Sequence, residues 1–462
     1  MASDPSAHPT RRRFLAETGR FAAASALAGT ALPQVHLGGR ESLKVALVGC
    51  GGRGGGAAVN ALSVPGADLK LVAVADVFAA KPRQLAASLK EQFADKVDLP
   101  AERQFVGFDG YRRAMDCLDP GDIVILTTPP AFRWVHYALA IEKGLNVFME
   151  KPVTVDGPTS KRMLELNAKA IEKGLRVGVG LMSRHNHGMR ELKQRIADGE
   201  LGEILFMRGY RMHGPAAFFR SLPKPEGISE LMYQIQRFHS FLWASGGNFS
   251  DFNIHIIDHL CWMKGSWPTK AQGVGGRHYR EGAEGVYIDQ NFDSYAVEYT
   301  FADGAKLFFD GRCMTGCKEI YQSFAHGTKG MAVVSSQGDC GLPSGTFKSH
   351  VGGRADLLWQ SKVPPDKQNP YQNEWDELIA AIREGRPHNE VESGIKTSLV
   401  TSMGRMAAHT GMEVKYEDIL NGDHEFAPNV AELTLDSPAP LQLGDDGRYP
   451  MPMPGQKGMR EY

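Results

Sequence analysis

Cysteine is scarce in this sequence. Its six residues, Cys50, Cys117, Cys261, Cys313, Cys317 and Cys340, contain no C-x-x-C pair, and a chain of 462 residues needs no stapling. A disulfide scaffold is therefore excluded. Cys50 and Cys261 read as small core residues, and no bond is assigned to Cys313 and Cys317. Net charge is also lacking: 52 Lys and Arg against 53 Asp and Glu leave −1. Nothing steers such a chain toward nucleic acid or an anionic membrane surface. Long uncharged runs are missing too, since the apolar stretch from Phe21 to Leu32 is too short to span a bilayer. No internal repeat is present. What remains is a soluble globular balance, 42% apolar and 23% charged, in a chain long enough for two domains.

Residues 1–40 read as an address rather than as structure. Thr10-Arg11-Arg12-Arg13-Phe14-Leu15 carries paired arginines, and an Ala-rich apolar run with small residues near Ala26-Leu27-Ala28 follows. This is the pattern of a twin-arginine (Tat) signal, so a periplasmic or other extracytoplasmic location is expected. A disordered basic terminus is the plainer alternative. The Tat route carries folded proteins, so a ligand bound in the cytoplasm can travel inside the chain.

From residue 43 to 180 short apolar runs alternate with helical periodicity. The runs are Leu43–Val48, Leu71–Ala75, Ile123–Thr127, Asn146–Met149 and Arg176–Gly180, with helices expected at Trp134–Lys143 and Thr159–Lys173. Near-continuous apolar strands separated by helices imply an α/β domain, a doubly wound parallel sheet of the Rossmann type. From 181 to 421 the strands lengthen and alternate, at Glu203–Met212, Asp293–Phe301, Ala305–Arg312 and Glu319–Ala325. They predict a second α/β domain with a large, mostly antiparallel open sheet and helices at Ser250–Met263, Tyr371–Glu384 and Ser393–His409. Residues 422–462, rich in Pro and Gly, predict an extended arm or a disordered end.

The first strand runs into Gly49-Cys50-Gly51-Gly52-Arg53-Gly54, a G-x-G-x-x-G. Gly49 permits a tight turn, Gly51 lets backbone approach a pyrophosphate, and Gly54 allows helix to pack on strand, with Gly52 and Arg53 beside them. Alone this is a weak signal, because glycine-rich turns are common. Asp76, roughly twenty residues beyond the last glycine and at the end of the second strand, strengthens it as a ribose-binding carboxylate. Its charge repels a 2′-phosphate, so NAD is favoured over NADP, although Lys81 and Arg83 lie close by in sequence.

The third strand ends in Thr127-Thr128-Pro129-Pro130 and the fourth in Glu150-Lys151-Pro152, at the carboxyl edge where such sheets bind ligands. Further on, Gly246-Gly247 precedes Asp251-x-x-x-His255. Together these pieces resemble the Gfo/Idh/MocA oxidoreductases, relatives of glucose–fructose oxidoreductase and inositol dehydrogenase, from Leu43 to about Asn421. The resemblance implies NAD contacted by Thr127, Thr128, Pro129, Glu150 and Lys151, with Lys151 beside nicotinamide and substrate; export to a compartment without a dinucleotide pool implies that the NAD is tightly bound. It also implies a homo-oligomer formed through the C-terminal sheet. The family's usual His four residues after the Thr-Pro proline is Arg133 here, with His136 one turn later. One branch cleaves glycosides by a redox route and lacks the Glu-Lys-Pro lysine, so Lys151 counts against that branch.

Read from spacing alone, Ser250 caps a helix on which Asp251, His255, Asp258 and His259 share a side. Asp251 then orients His255 one turn on. Such a pair is usually a surface ion pair, and the four residues invite a metal, but they cannot all converge on one ion. Imidazole suits the removal of a hydroxyl proton while hydride leaves carbon. The expectation is NAD-dependent hydride transfer at a hydroxyl-bearing carbon of a sugar, polyol or glycoside. Lys151, His255 and Asp251 form the chemical group; Arg184 and Asn253 lead the substrate-binding candidates, followed by His185 and Trp243. A redox-assisted glycosidase and a non-catalytic NAD-binding sensor are the rival readings.

Overall fold

A computed structural model describes residues 42–462. The expected signal lies outside the described residues. Six strands, β1 (Ser42–Val48), β2 (Asp68–Asp76), β3 (Gln104–Val106), β4 (Ile123–Leu126), β5 (Asn146–Met149) and β6 (Val177–Val179), form the first sheet. Their order is β3-β2-β1-β4-β5-β6, and every pair is parallel. The three-residue β3 is too short to carry a periodicity and escaped the sequence reading. The order reverses between β1 and β4, which opens a crevice at the carboxyl ends of those strands.

The second sheet has nine strands. They are β7 (Ile204–His213), β8 (Lys270–Gly276), β11 (Ser294–Thr300), β12 (Lys306–Cys313), β13 (Ile320–Gly327), β14 (Gly330–Ser335), β15 (Gly345–Phe347), β16 (Leu357–Gln360) and β17 (Val414–Lys415). A small hairpin, β9 (Glu281–Gly282) and β10 (Gly285–Val286), stands apart. The order is β16-β15-β14-β13-β7-β12-β11-β8-β17, antiparallel throughout except for the parallel pair β7 and β12. Burial alternates along β12, so Leu307, Phe309 and Cys313 face the core. Helices Ile254–Lys264 and Val391–Thr410 cover that face. The opposite face is open and carries Arg208 paired with Asp310 and Lys306 paired with Glu298.

The two halves share their cores. Helix Pro370–Glu384, which follows the second sheet, packs Trp375, Leu378, Ile379 and Ile382 against the underside of the first. Phe148 of β5 meets Trp375 with ring centroids 4.5 Å apart.

Residues 422–462 are extended but docked. Arg162 pairs with Glu425, and Asp156 accepts from the Phe426 amide at 3.0 Å. Gln234 donates to the Leu441 carbonyl at 2.7 Å, and the buried Tyr449 packs on Phe241. Glu461, 4% exposed, lies between Arg405 and His409. An isolated Pro-rich segment cannot form its own core. This one borrows the core of the body through its few aromatic and charged residues.

Candidate active site

A cavity of about 820 Å³ lies over the carboxyl ends of β1, β2, β4 and β5, within the range of cofactor sites. Every cofactor-side residue named from the sequence lines it: Gly49, Gly51, Gly52, Arg53, Gly54, Asp76, Thr127, Thr128, Pro129, Glu150 and Lys151.

The glycines divide their labour. Gly49 has φ +102°, a left-handed conformation that disfavours side chains, and a Cβ there would sit 2.8 Å from Thr127 backbone. A Cβ on Gly54 would lie 2.0 Å from the Gly49 carbonyl oxygen, so helix Gly52–Leu62 meets the strand only because Gly54 has no side chain. At Gly51 and Gly52 a Cβ would meet nothing within 4 Å, which leaves open space over the helix N-terminus. That terminus carries no acidic residue in its first turn and no side-chain cap. Free N–H groups and an open cradle fit a pyrophosphate. Asp76 closes the β2 end, accepting from the amides of Cys50 (2.8 Å) and Phe78 (2.9 Å). Burial pushes its carboxyl above the ordinary value, opposed by those two bonds.

Beneath the β5 end, the buried Glu150 accepts from Arg53 Nε at 2.6 Å, and the Arg53 guanidinium stacks over Tyr371. Arg133, 1% exposed, donates to the carbonyls of Leu126 and Thr128 and so braces the Thr-Pro turn from behind. His136 meets Thr128 Oγ1 at 3.2 Å and packs on Tyr111. Burial, then Arg133 and Arg112, lower its pKa to about 3.

Across the cavity stand Lys151, Asp251 and His255. Lys151 Nζ donates to the Asp251 carbonyl at 2.6 Å and lies 3.8 Å from its carboxylate. The expected support of His255 by Asp251 is not present. Asp251 Oδ2 instead meets His239 Nε2 at 3.2 Å, and His255 Nδ1 is buried with no hydrogen-bond partner among the described residues. The reason is local: the helix breaks at Asn253, dividing Gly247–Phe252 from Ile254–Lys264, so Asp251 and His255 are not stacked on one helix. Ser250 is likewise no cap. It lies inside the first segment, where its Oγ accepts from Arg405 at 2.8 Å. Burial raises the Asp251 carboxyl, but Lys151 and then His239 outweigh it and hold it well below the ordinary carboxylate range. His255 is lowered to about 3, first by burial and then by Lys151 and Arg211, against Asp339 and Asp258. Its imidazole is therefore neutral at physiological pH.

Other candidates fall away from the cavity wall. Arg184 is bound bidentately to Asp258, and Asn253 is buried beside Gly311 of β12. His185 is held between Glu377 and Glu390, and Trp243 donates to Gln234 inside the core. His259 bonds Ser323 at 2.8 Å, so the acid and imidazole groups of this helix diverge. Among the described residues no cluster of three or more His, Cys, Asp or Glu could hold a metal. In place of those candidates the cavity brings His239, Arg211 and Asp339 to the chemical end, residues no motif singled out. Val430, Ala431 and Leu433 of the docked C-terminal segment supply part of the rim.

A model of the family described as "Oxidoreductase family, NAD-binding Rossmann fold" matches residues 43–181, and one described as "GFO/IDH/MocA C-terminal domain" matches 189–333. Between them they cover well over half of the chain. The chain belongs to the Gfo/Idh/MocA oxidoreductases. Its first sheet is thus that family's NAD-binding Rossmann domain. Among curated relatives, the scyllo-inositol 2-dehydrogenase (NAD(+)) of Bacillus subtilis is 30% identical over 238 residues, 51% of this chain and 58% of that one. A 2,7-anhydro-N-acetylneuraminate hydratase of Mediterraneibacter gnavus is 25% identical over 58% of this chain and 64% of its own. The chain spans about half the length of the curated relatives it matches. Among solved structures, a levoglucosan dehydrogenase in complex with NADH and levoglucosan superposes with a TM-score of 0.61 at 18% identity, over 81% of this chain and 99% of that one. A myo-inositol 2-dehydrogenase from Lactobacillus plantarum gives 0.58 at 21% identity, over 81% and 99%. These likenesses establish the shared fold.

Proposed function

We propose that this protein is an NAD-dependent oxidoreductase transferring hydride between nicotinamide and a hydroxyl-bearing carbon of a sugar, polyol or glycoside. The observation that carries the reading is one cavity joining a pyrophosphate cradle to Lys151 and His255 at its far end. The inositol and levoglucosan dehydrogenases among the relatives support the choice of substrate class.

When bound, NAD supplies the hydride acceptor. Gly49, Gly51, Gly52 and the N-terminus of helix Gly52–Leu62 hold its phosphates, and Asp76 its ribose hydroxyls. The chain's own part is to handle the proton. His255, neutral and with Nδ1 buried, offers Nε2 to the substrate hydroxyl. Lys151, fixed by the Asp251 carbonyl, donates to the same oxygen and stabilises the negative charge that grows as the O–H bond breaks. Asp251 keeps Lys151 in place, with His239 behind it. The test is a panel of myo-inositol, scyllo-inositol, glucose and levoglucosan, followed at the nicotinamide absorbance. At least one should reduce NAD, and a panel without any reduction, run with a cofactor-loaded enzyme, counts against the reading.

A redox-neutral variant of the same chemistry deserves an arm of that experiment, because one relative is named a hydratase. Sustained release of phenol from an aryl glycoside without added NAD identifies it.

Two further elements complete the proposal. The open face of the second sheet, with exposed Val274, Phe206 and Met412, is the surface through which the protein self-associates. The Arg11-Arg12 pair directs export of the folded, NAD-loaded enzyme by the Tat route. Retention of the cofactor then matters, since a periplasm offers no dinucleotide pool, and the rim formed by Val430, Ala431 and Leu433 narrows the way out. Replacing Arg11 and Arg12 by Lys should leave active, NAD-loaded protein in the cytoplasm. Wild-type protein found there uncleaved overturns the export proposal alone.

A further inference from the structure

His255 takes up positive charge in the step proposed above, and that charge needs a partner. Lys151, Arg211 and Asp339 line the same cavity as His255, and Asp258 lies on the helix that carries it; all four bear on the charge of the ring. Two are cations. Asp258 is already committed, held bidentately by Arg184 and by Thr397 Oγ1 at 2.6 Å. Asp251, which the Asp-x-x-x-His spacing suggests, is engaged by Lys151 and His239. Asp339 alone remains.

Its surroundings are built. Tyr321 Oη donates to Asp339 Oδ1, and Arg211 Nη1 approaches the same oxygen at 3.4 Å. Both contacts fall on Oδ1; among the described residues Oδ2 makes no hydrogen bond, and the residue lines the cavity. The loop bearing it is pinned on both sides. Ser335 Oγ donates to the Gly338 carbonyl and accepts from the Gly341 amide. Ser183 Oγ reaches the Asp339 carbonyl at 3.2 Å, and Asn186 the Cys340 carbonyl at 3.1 Å. Arg211 is tied down in turn by the Phe252 carbonyl. These residues come from β7, β13 and the loop after β14, and Asp339 lies beyond the stretch that the family models match.

We propose that Asp339 is a positioning residue for proton transfer, supplying the counter-charge to His255. The substrate O–H bond breaks and an Nε2–H bond forms. The ring goes from neutral to singly positive, and Asp339 stays ionised throughout. The proposal rests on the role of His255 given above.

The test is a double-mutant cycle read as single-turnover NADH formation at saturating NAD. Myo-inositol is the probe alcohol, or the panel member that reduces NAD fastest. Asp339→Asn should slow the wild-type enzyme at least tenfold and leave the His255→Ala enzyme within twofold of its own rate. A group acting through His255 has nothing to act on once the imidazole is gone. Tyr321→Phe, which loosens Asp339 but keeps its charge, should give a smaller loss with the same non-additivity. NADH affinity, read by fluorescence titration, should be unchanged in each variant. Equal slowing in both backgrounds, or a wild-type rate in Asp339→Asn, overturns the assignment of Asp339. A wild-type rate in His255→Ala overturns the role of His255 itself, and the assignment with it.

Discussion

Alanine substitutions at Gly54 and Gly51 should have different consequences for the nucleotide-free protein and the same consequence for cofactor binding. In Gly54→Ala the new methyl would lie 2.0 Å from the Gly49 carbonyl oxygen, where real contacts stay above 3 Å. Backbone must yield by about an ångström, an overpacking cost of roughly 1–3 kcal/mol. In Gly51→Ala the methyl meets nothing within 4 Å, and Gly51 already has an extended conformation (φ −77°, ψ −177°) open to any residue. Loss of glycine's freedom in the unfolded chain, worth up to about 1 kcal/mol, is offset by alanine's poorer fit at this N-cap, so stability should change little. Yet that methyl occupies the space over the helix N-terminus in which the pyrophosphate is to lie. The assay is thermal unfolding of nucleotide-stripped protein, paired with NADH titration by fluorescence. Gly54→Ala should lower both Tm and affinity; Gly51→Ala should keep Tm and lose affinity by at least tenfold, about 1.4 kcal/mol. Wild-type affinity in a stable Gly51→Ala protein would refute the cradle.

Replacing Asp76 with Ser should narrow or invert the preference for NAD over NADP, and a tenfold NADP preference in the wild type contradicts the reading of that carboxylate. Lys151→Ala and His255→Ala should each depress turnover by roughly a hundredfold or more, with Lys151→Ala also weakening substrate binding; near-normal turnover in both removes their assigned roles. Glu461 is held down to about pH 2: burial raises its pKa, but Arg405 and His409 prevail. A depressed carboxylate stabilises above its unfolded value, near 4.5, and that contribution fades as pH falls toward the folded value. Glu461→Gln should therefore lower Tm at pH 6 and flatten the acid limb, and parallel Tm curves for the two proteins would exclude this role.

The parts of the site legible in the sequence are those where a strand and the few residues after it suffice. A parallel strand delivers its last residue to the crevice, so Gly49, Asp76, Thr128 and Lys151 could be placed from local pattern alone. Spacing finds Asp251 and His255 but pairs them wrongly, because the break at Asn253 changes which faces meet. Arg184 follows a strand end as Lys151 does, yet a buried carboxylate 74 residues away claims it. Arg211 and Asp339 come together across 128 residues, through the pairing of β7 with β13 and a pinned loop, and no window along the chain contains that information.

The sharing of cores between the halves bears on how the chain is made. The nucleotide-binding strands end with Val179, but the helix that covers their underside, with Trp375 on Phe148, lies about two hundred residues further on. At 5–20 residues per second that helix emerges roughly 10–40 s later. Throughout that interval helices Gly52–Leu62 and Ala80–Gln92 cover only part of the underside of the first sheet, and Phe148 stands without Trp375. The nascent protein is thus most exposed to aggregation midway through synthesis. A ribosome-bound chain halted near residue 300 should bind an apolar dye or a chaperone far more strongly than one halted after residue 400.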